Sequence, residues 1–190
     1  MEEDRLHKAC SNLVSELQEM YKGWEGVSQF GDTPSRLERM YREFCWPPDE
    51  IQTELDKQFR VFENGFNEML VTGPITVWTL CPHHLLPVKL LVTIGYTPNG
   101  KVLGLSKFAR IAVILGKRPT MQEEYSIELA DILNVKLQPD GVAVYVVGRH
   151  DCMESRGVLQ GAPVVTSCLK GAFLSDPTTR AEFFSTVGRL

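Results

Sequence analysis

Cys81-Pro82-His83-His84-Leu85-Leu86-Pro87 sets one cysteine and two histidines within four positions of a chain that has four histidines in all. The segment divides two runs of strand-like sequence. Before it, 69–80 is rich in β-branched and aromatic residues, with alternation at Ile75, Val77 and Trp78-Thr79-Leu80. After it, 88–97 (VKLLVTIGYT) reads as a second strand, closed by a turn at Pro98-Asn99-Gly100. Far downstream, a strongly apolar strand over 142–149 runs into Arg149-His150-Asp151-Cys152, which adds a second cysteine and a third histidine. The two segments are expected to meet in space around one ion.

Outward from this pair, the pattern changes period. A helix is expected from Ser106, a possible cap, with Phe108, Ile111, Ala112 and Leu115 on one face and Gly116 and Pro119 ending it. Thr120 is expected to cap a further helix over 121–136, with Ile127, Ala130, Leu133 and Val135 inward. Pro139-Asp140-Gly141 reads as a turn, 163–173 as a fourth strand, and Asp176-Pro177 as the start of a last helix over 177–188. The order is β-β-α-α-β-β. It defines an α+β fold with an antiparallel four-stranded sheet and two helices on one face. Such a sheet has open edges, so assembly that continues it is physically sensible.

The residues before this unit read as helical. Leu6, Cys10, Leu13, Leu17 and Met20 recur at helical spacing over 3–22. Asp32-Thr33-Pro34 opens a second helix, with Asp32 or Thr33 as cap, and 49–60 reads as a third. The expected organisation is a helical region over 1–62 and a catalytic domain over 63–190.

Bulk composition narrows the function classes. A formal net charge of −4 argues against a general nucleic-acid binder. No stretch approaches 18 uninterrupted apolar residues, and the acidic N-terminus is not a secretory signal. Five cysteines without regular spacing point to free or metal-bound thiols in a reducing, cytoplasmic compartment.

The chemistry follows from residue types. Cys81 and His84 are three apart and can reach one ion from a tight turn; His150 and Cys152 are two apart on an expected strand end and would share a face. Cys81, His84 and Cys152 make a three-ligand zinc (Zn2+) set with one open position, the catalytic arrangement. His83 and His150 then stand beside the metal, suited to proton transfer near neutrality. A structural zinc that also takes His150, or no metal, are the alternatives on spacing alone. Ser106, Lys107 and Arg110 at a helix start, with Arg156 downstream, offer an anion site for a triphosphate. Gln122-Glu123 can recognise a planar base, Glu123 accepting from the adjacent N–H and NH2 groups that guanine presents; dipole complementation is the bland reading of Glu123.

Taken together, CPHHLLP, GLSKFARI, QEE after KRPTM, and GVAVYVVGRHDCMESRGV resemble the GTP cyclohydrolase I family, whose usual strings are C-E-H-H-L-L-P, G-L-S-K-x-x-R-I, Q-E-R and H-x-C-M-x-x-R-G-V. The likeness covers about residues 30–185 and includes TPSRLERMYREF. It implies the tunnelling fold, assembled as a toroidal homodecamer of two pentameric rings with active sites between subunits. It implies zinc-dependent hydrolysis of GTP to 7,8-dihydroneopterin triphosphate and formate, a first step toward pterins, folate or 7-deazaguanines. By motif position Cys81, His84 and Cys152 match the zinc ligands, and His83 and His150 the acid/base histidines. Gln122 and Glu123 match the guanine pair. Ser106, Lys107, Arg110 and Arg156 match the triphosphate side, Ser106 being counted with the catalytic residues. Two departures stand out: Pro82 replaces the family's glutamate, and Glu124 its arginine. They bear on rate and on the choice between GTP and dGTP. The other outcomes left open are a nitrile reductase of the same fold, which needs a nicotinamide and a nucleophilic cysteine, and a non-catalytic nucleotide binder.

Overall fold

The computed structural model describes residues 5–190, which form two compact units divided between Cys45 and Trp46. The first unit holds helix α1 (Arg5–Met20), a 3-10 turn (Glu25–Phe30) and helix α2 (Thr33–Phe44). The expected start of α1 at residues 3 and 4 lies outside the described residues. Its inward line is Cys10 and Val14, whereas Leu13 and Met20, expected inward, are exposed. His7 Nδ1 meets Glu38 Oε2 at 2.7 Å, which ties α1 to α2. Asp32 does not cap α2 through its side chain; it pairs with Arg36 at 3.7 Å instead.

The second unit begins with helix α3 (Pro48–Asp56), shorter than the expected 49–60. Ile51 and Leu55 of α3 are buried in the main core, so this helix belongs to the same core as the sheet and the helices that follow. Strands β1 (Val61–Glu63), β2 (Leu70–Leu80), β3 (Pro87–Thr97) and β4 (Lys101–Leu103) follow. Then come helices α4 (Leu105–Leu115) and α5 (Gln122–Leu137). Strand β5 (Gly141–His150), the short helix α6 (Asp151–Glu154), strand β6 (Val164–Gly171), and helices α7 (Ala172–Ser175) and α8 (Pro177–Val187) complete the chain. The main sheet is antiparallel in the order β2-β3-β5-β6, so the expected β-β-α-α-β-β order is present. The short β1–β4 ribbon was not expected from the sequence.

Alternation along the strands assigns the two faces. Leu90, Val92, Ile94 and Tyr96 of β3, with Val142, Val144 and Val146 of β5, are buried among Phe108, Ile111, Ala112 and Leu115 of α4 and Tyr125, Leu129, Ala130 and Leu133 of α5. Each aliphatic side chain so buried contributes about 1.5–3 kcal/mol. Two expectations for α5 are corrected: Ile127 and Val135 face outward, both more than half exposed. On the other face a smaller cluster forms around Ala143, Phe173 and Phe183, which fastens α7 and α8 to the sheet. The Phe173 and Phe183 rings meet edge to face, 5.6 Å apart. Helix α8 starts at Pro177 as expected, and Asp176 caps it, accepting from the amides of Thr178 and Thr179.

Two further expected caps are not used. Gly104, not Ser106, precedes α4, because the helix starts two residues earlier than the serine's position requires. Met121, not Thr120, precedes α5; the Thr120 amide bonds instead to Leu80 O, joining the helix connection to the end of β2.

Candidate active site

Strand β2 ends at Leu80 and the chain turns at once. The Cys81 amide donates to Leu86 O at 2.9 Å and the Leu85 amide to Cys81 O at 2.8 Å. Leu85 takes a left-handed conformation (φ 54°), which costs a non-glycine residue about 1–2 kcal/mol. That turn brings both histidines back to the cysteine. Cys81 Sγ lies 3.6 Å from His84 Nδ1 and 3.8 Å from His83 Nδ1. Cys81 is buried at 8% exposure, whereas Pro82, His83 and His84 are exposed.

The second segment arrives through strand pairing. β3 pairs with β5 so that Val88 faces His150, which delivers the end of β5 to the base of the turn. His150 is the last strand residue, but Cys152 sits in the helical turn α6. The expected strand alternation therefore does not explain their common placement; a helical turn swings Cys152 inward. Donor atoms of Cys81, His84 and Cys152 all lie within 4.8 Å of one another. Burial pushes the Cys152 thiol up, the neighbouring Cys81 adds to this, and Arg156 opposes it. Ionising two adjacent thiols is costly without a cation, and that cost falls when a dication binds.

His150 is held by Gln122, whose Oε1 lies 2.9 Å from His150 Nε2. Burial lowers the His150 pKa, while Glu123 and Glu154 act in the raising direction. Gln122 is 2% exposed, and its amide nitrogen donates to Val164 O at 3.0 Å, Thr166 Oγ1 at 3.1 Å and Val146 O at 3.3 Å. Both ends of its side-chain amide are thus engaged inside the chain, whereas Glu123 beside it is exposed. Arg149 and Glu154 flank the site as a paired fork, with Arg149 Nη2 2.9 Å from Glu154 Oε2.

The anion residues divide into two groups. Arg156 lies near Cys152, within electrostatic reach of its thiol. Ser106, Lys107 and Arg110 occupy the start of α4, beside Leu103, whose amide bonds to Tyr96 Oη at 3.2 Å. Tyr96 pairs with Leu70, at the end of the sheet opposite the Cys81 turn. The 11 residues of α4 span about 16 Å between that end and the ligand cluster. Within one chain the structure brings together Cys81, His83, His84 and Cys152, and seats His150 on Gln122, but it separates Ser106, Lys107 and Arg110 from them. Lys107 Nζ is held by Gln58 Oε1 at 3.0 Å. Gln58, Ser126, Gly148 and Thr166 were not singled out from the sequence. Ser126 alone left a trace there, one turn after Gln122 on the same helix face.

A thiol–imidazole cluster at one end of a half-covered antiparallel sheet defines an α+β protein with a candidate metal centre. Residues 7–188 match the family model described as GTP cyclohydrolase I. Similar proteins, each named GTP cyclohydrolase 1, occur in Dehalococcoides mccartyi (41% identical over 160 residues, 82% of this chain and 83% of that one) and Aquifex aeolicus (42% over 158 residues, 82% and 83%). Another, from Thermoanaerobacter pseudethanolicus, is 35% identical over 190 residues, 98% of this chain and 97% of that one. The chain belongs to the GTP cyclohydrolase I family. Its reaction is the hydrolysis of GTP to 7,8-dihydroneopterin triphosphate and formate. A solved apo archaeosine synthase, QueF-Like, aligns with a TM-score of 0.45 and 21% identity over 57% of this chain and 97% of that one.

Proposed function

We propose that the chain carries out this hydrolysis with zinc held by Cys81, His84 and Cys152. The observation that carries the assignment is the convergence of these three donors within 4.8 Å. With Zn–S near 2.3 Å and Zn–N near 2.0 Å, tetrahedral zinc places sulfur and nitrogen about 3.5 Å apart. Cys81 Sγ and His84 Nδ1 are 3.6 Å apart. Three protein ligands is also the count of a catalytic zinc site. A bound zinc supplies Lewis-acid chemistry, lowering the pKa of a water for attack at C8 of the guanine.

The chain's own residues supply the rest. His83 and His150 hold and move protons as the imidazole ring opens and C8 leaves as formate. Glu123, exposed at the start of α5, accepts from the guanine N–H and NH2 groups. Ser106, Lys107, Arg110 and Arg156 hold the triphosphate. Because the first three stand at the far end of the sheet, they serve the metal end of a second copy. The uncovered edges at β2 and β6 favour such assembly, and a homodecamer is the form the family resemblance implies. Among the described residues no helix is long and apolar enough to cross a membrane, and five cysteines without regular spacing suit a cytoplasmic setting.

The test is incubation of the purified protein with GTP and zinc, scored by formate and by a fluorescent pterin after oxidation. Absence of product from fully zinc-loaded protein overturns the reading. Cys152→Ala should lose both zinc and turnover; zinc retained at wild-type stoichiometry would remove Cys152 from the ligand set. Co-expression of Cys152→Ala with Lys107→Ala should recover activity that neither variant has alone. No recovery from mixed assemblies would count against a site shared between copies.

A further inference from the structure

The hydrogen bonds around Gln122 run in one direction. Val146 and Val164 present backbone carbonyls, which only accept, so the side of Gln122 that faces them at 3.3 and 3.0 Å must be its NH2 group. Ser126 Oγ donates to Gln122 O at 2.8 Å, which leaves it to accept from Thr166 Oγ at 2.7 Å. Thr166 Oγ1 then accepts from Gln122 Nε2 at 3.1 Å. The two carbonyls and the Ser126–Thr166 hydroxyl chain fix the amide the same way round. Oε1 therefore points at His150 Nε2, and because Oε1 only accepts, Nε2 must carry a hydrogen.

We propose that Gln122 is a positioning residue that holds His150 as its Nε2–H tautomer, leaving Nδ1 as the nitrogen that takes and returns the proton. This rests on the reading of His150 as a proton-transfer residue. The arrangement has a chemical merit: an imidazolium also carries hydrogen at Nε2, so the bond to Gln122 survives both protonation states. Gly148 makes room for it. A Cβ there would collide with Gln122 Oε1 and reach 3.0 Å from His150 Nε2, so only glycine lets the amide pass between strand and histidine. Committed in this way, the Gln122 side chain has no group left to read a base, and recognition of guanine falls to Glu123.

The tautomer is directly observable. The full-length, zinc-loaded protein is labelled with [15N]histidine and examined by solid-state NMR near pH 8, above the usual imidazole range. Protonated and bare ring nitrogens resonate far apart, and His150 is identified among the four histidines by the signal lost in His150→Asn. The expected result is hydrogen on Nε2 and a bare Nδ1; hydrogen on Nδ1 overturns the proposal whatever the activity. Gln122→Met, which removes the acceptor, should abolish the Nε2–H preference and lower kcat on the order of 10–100-fold, with GTP binding little changed. Gln122→Glu, which can still accept from Nε2, should keep the tautomer and recover part of kcat. A Gln122→Met protein with an unchanged tautomer and weakened GTP binding would assign Gln122 to the substrate instead. The NMR result on the unaltered chain stands even where a variant fails to fold, and it is separate from whether the enzyme acts on GTP.

Discussion

Replacing Tyr125 by phenylalanine should weaken the fold near neutral pH and strengthen it in alkali. Tyr125 is fully buried between α5 and α4, and its hydroxyl donates to Ala112 O at 2.9 Å. That carbonyl keeps the Gly116 amide at 3.3 Å, so the variant loses one hydrogen bond without stranding its acceptor. The loss is about 1 kcal/mol. Burial holds the Tyr125 phenol far above the ordinary tyrosine value of about 10. Its folded-state pKa is raised, so the stability it gives is whole below the unfolded pKa and is lost as pH climbs above it. There the unfolded chain releases a proton that the folded chain keeps, and the wild type loses up to about 1.4 kcal/mol per pH unit. This penalty, RT ln(1 + 10^(pH−10)), reaches about 1 kcal/mol near pH 10.6. The stability curves of the two proteins should cross at about that pH. Urea unfolding followed by circular dichroism between about pH 8 and 11, at one protein concentration, gives both curves. Curves that stay parallel throughout, or a phenylalanine variant no weaker at pH 8, would refute the reasoning.

Two further perturbations probe the other face of the sheet and the anion residues. In Gly95→Ala the new Cβ would stand 2.7 Å from the Phe183 ring, so the variant should lose about 1–3 kcal/mol. Adding Phe183→Leu should offset part of that loss, with a coupling of at least about 0.5 kcal/mol in a double-mutant cycle; strict additivity would mean that the ring yields freely. Gln58→Leu removes the partner of Lys107 Nζ, a bond of 3.0 Å, and should raise KM for GTP up to about 10-fold while kcat changes little. A fall in kcat at unchanged KM would place Lys107 elsewhere in the reaction.

Local pattern made the strands and most helices readable. β3 and β5 are apolar runs bounded by Pro-Asn-Gly and Pro-Asp-Gly, and both appear within a residue or two of expectation. The phase of α5 did not follow so readily. Gln122 and Ser126 lie on its buried line because Thr166 and His150 satisfy them, and reading polar residues as outward rotates the helix away from Tyr125 and Leu129. The β1–β4 ribbon has three residues per strand, too few to show a period. At the site, the Cys81–His84 turn is a local motif and visible as such. The seat of Cys152 depends on a four-residue helix after β5, and the orientation of His150 on a partner 28 positions away. Such long-range pairings are set by strand register, which residue spacing does not encode. The far placement of Lys107 is likewise a matter of which way α4 runs.

The pairing of Val88 with His150 has one more consequence. A slip of one residue between β3 and β5 would move the chain by about 3.3 Å and turn every side chain to the opposite face. Much of the apolar sequence on both strands would tolerate the shift, since residues such as Leu91 and Val147 could replace their neighbours inside. The cysteines would not: Cys152 would leave the reach of Cys81 and His84. On the zinc reading, ion uptake therefore works as proofreading. Only a chain whose hairpins have found the right register can close the ring between residues 81 and 152, and the metal then locks in the pairing that let it bind.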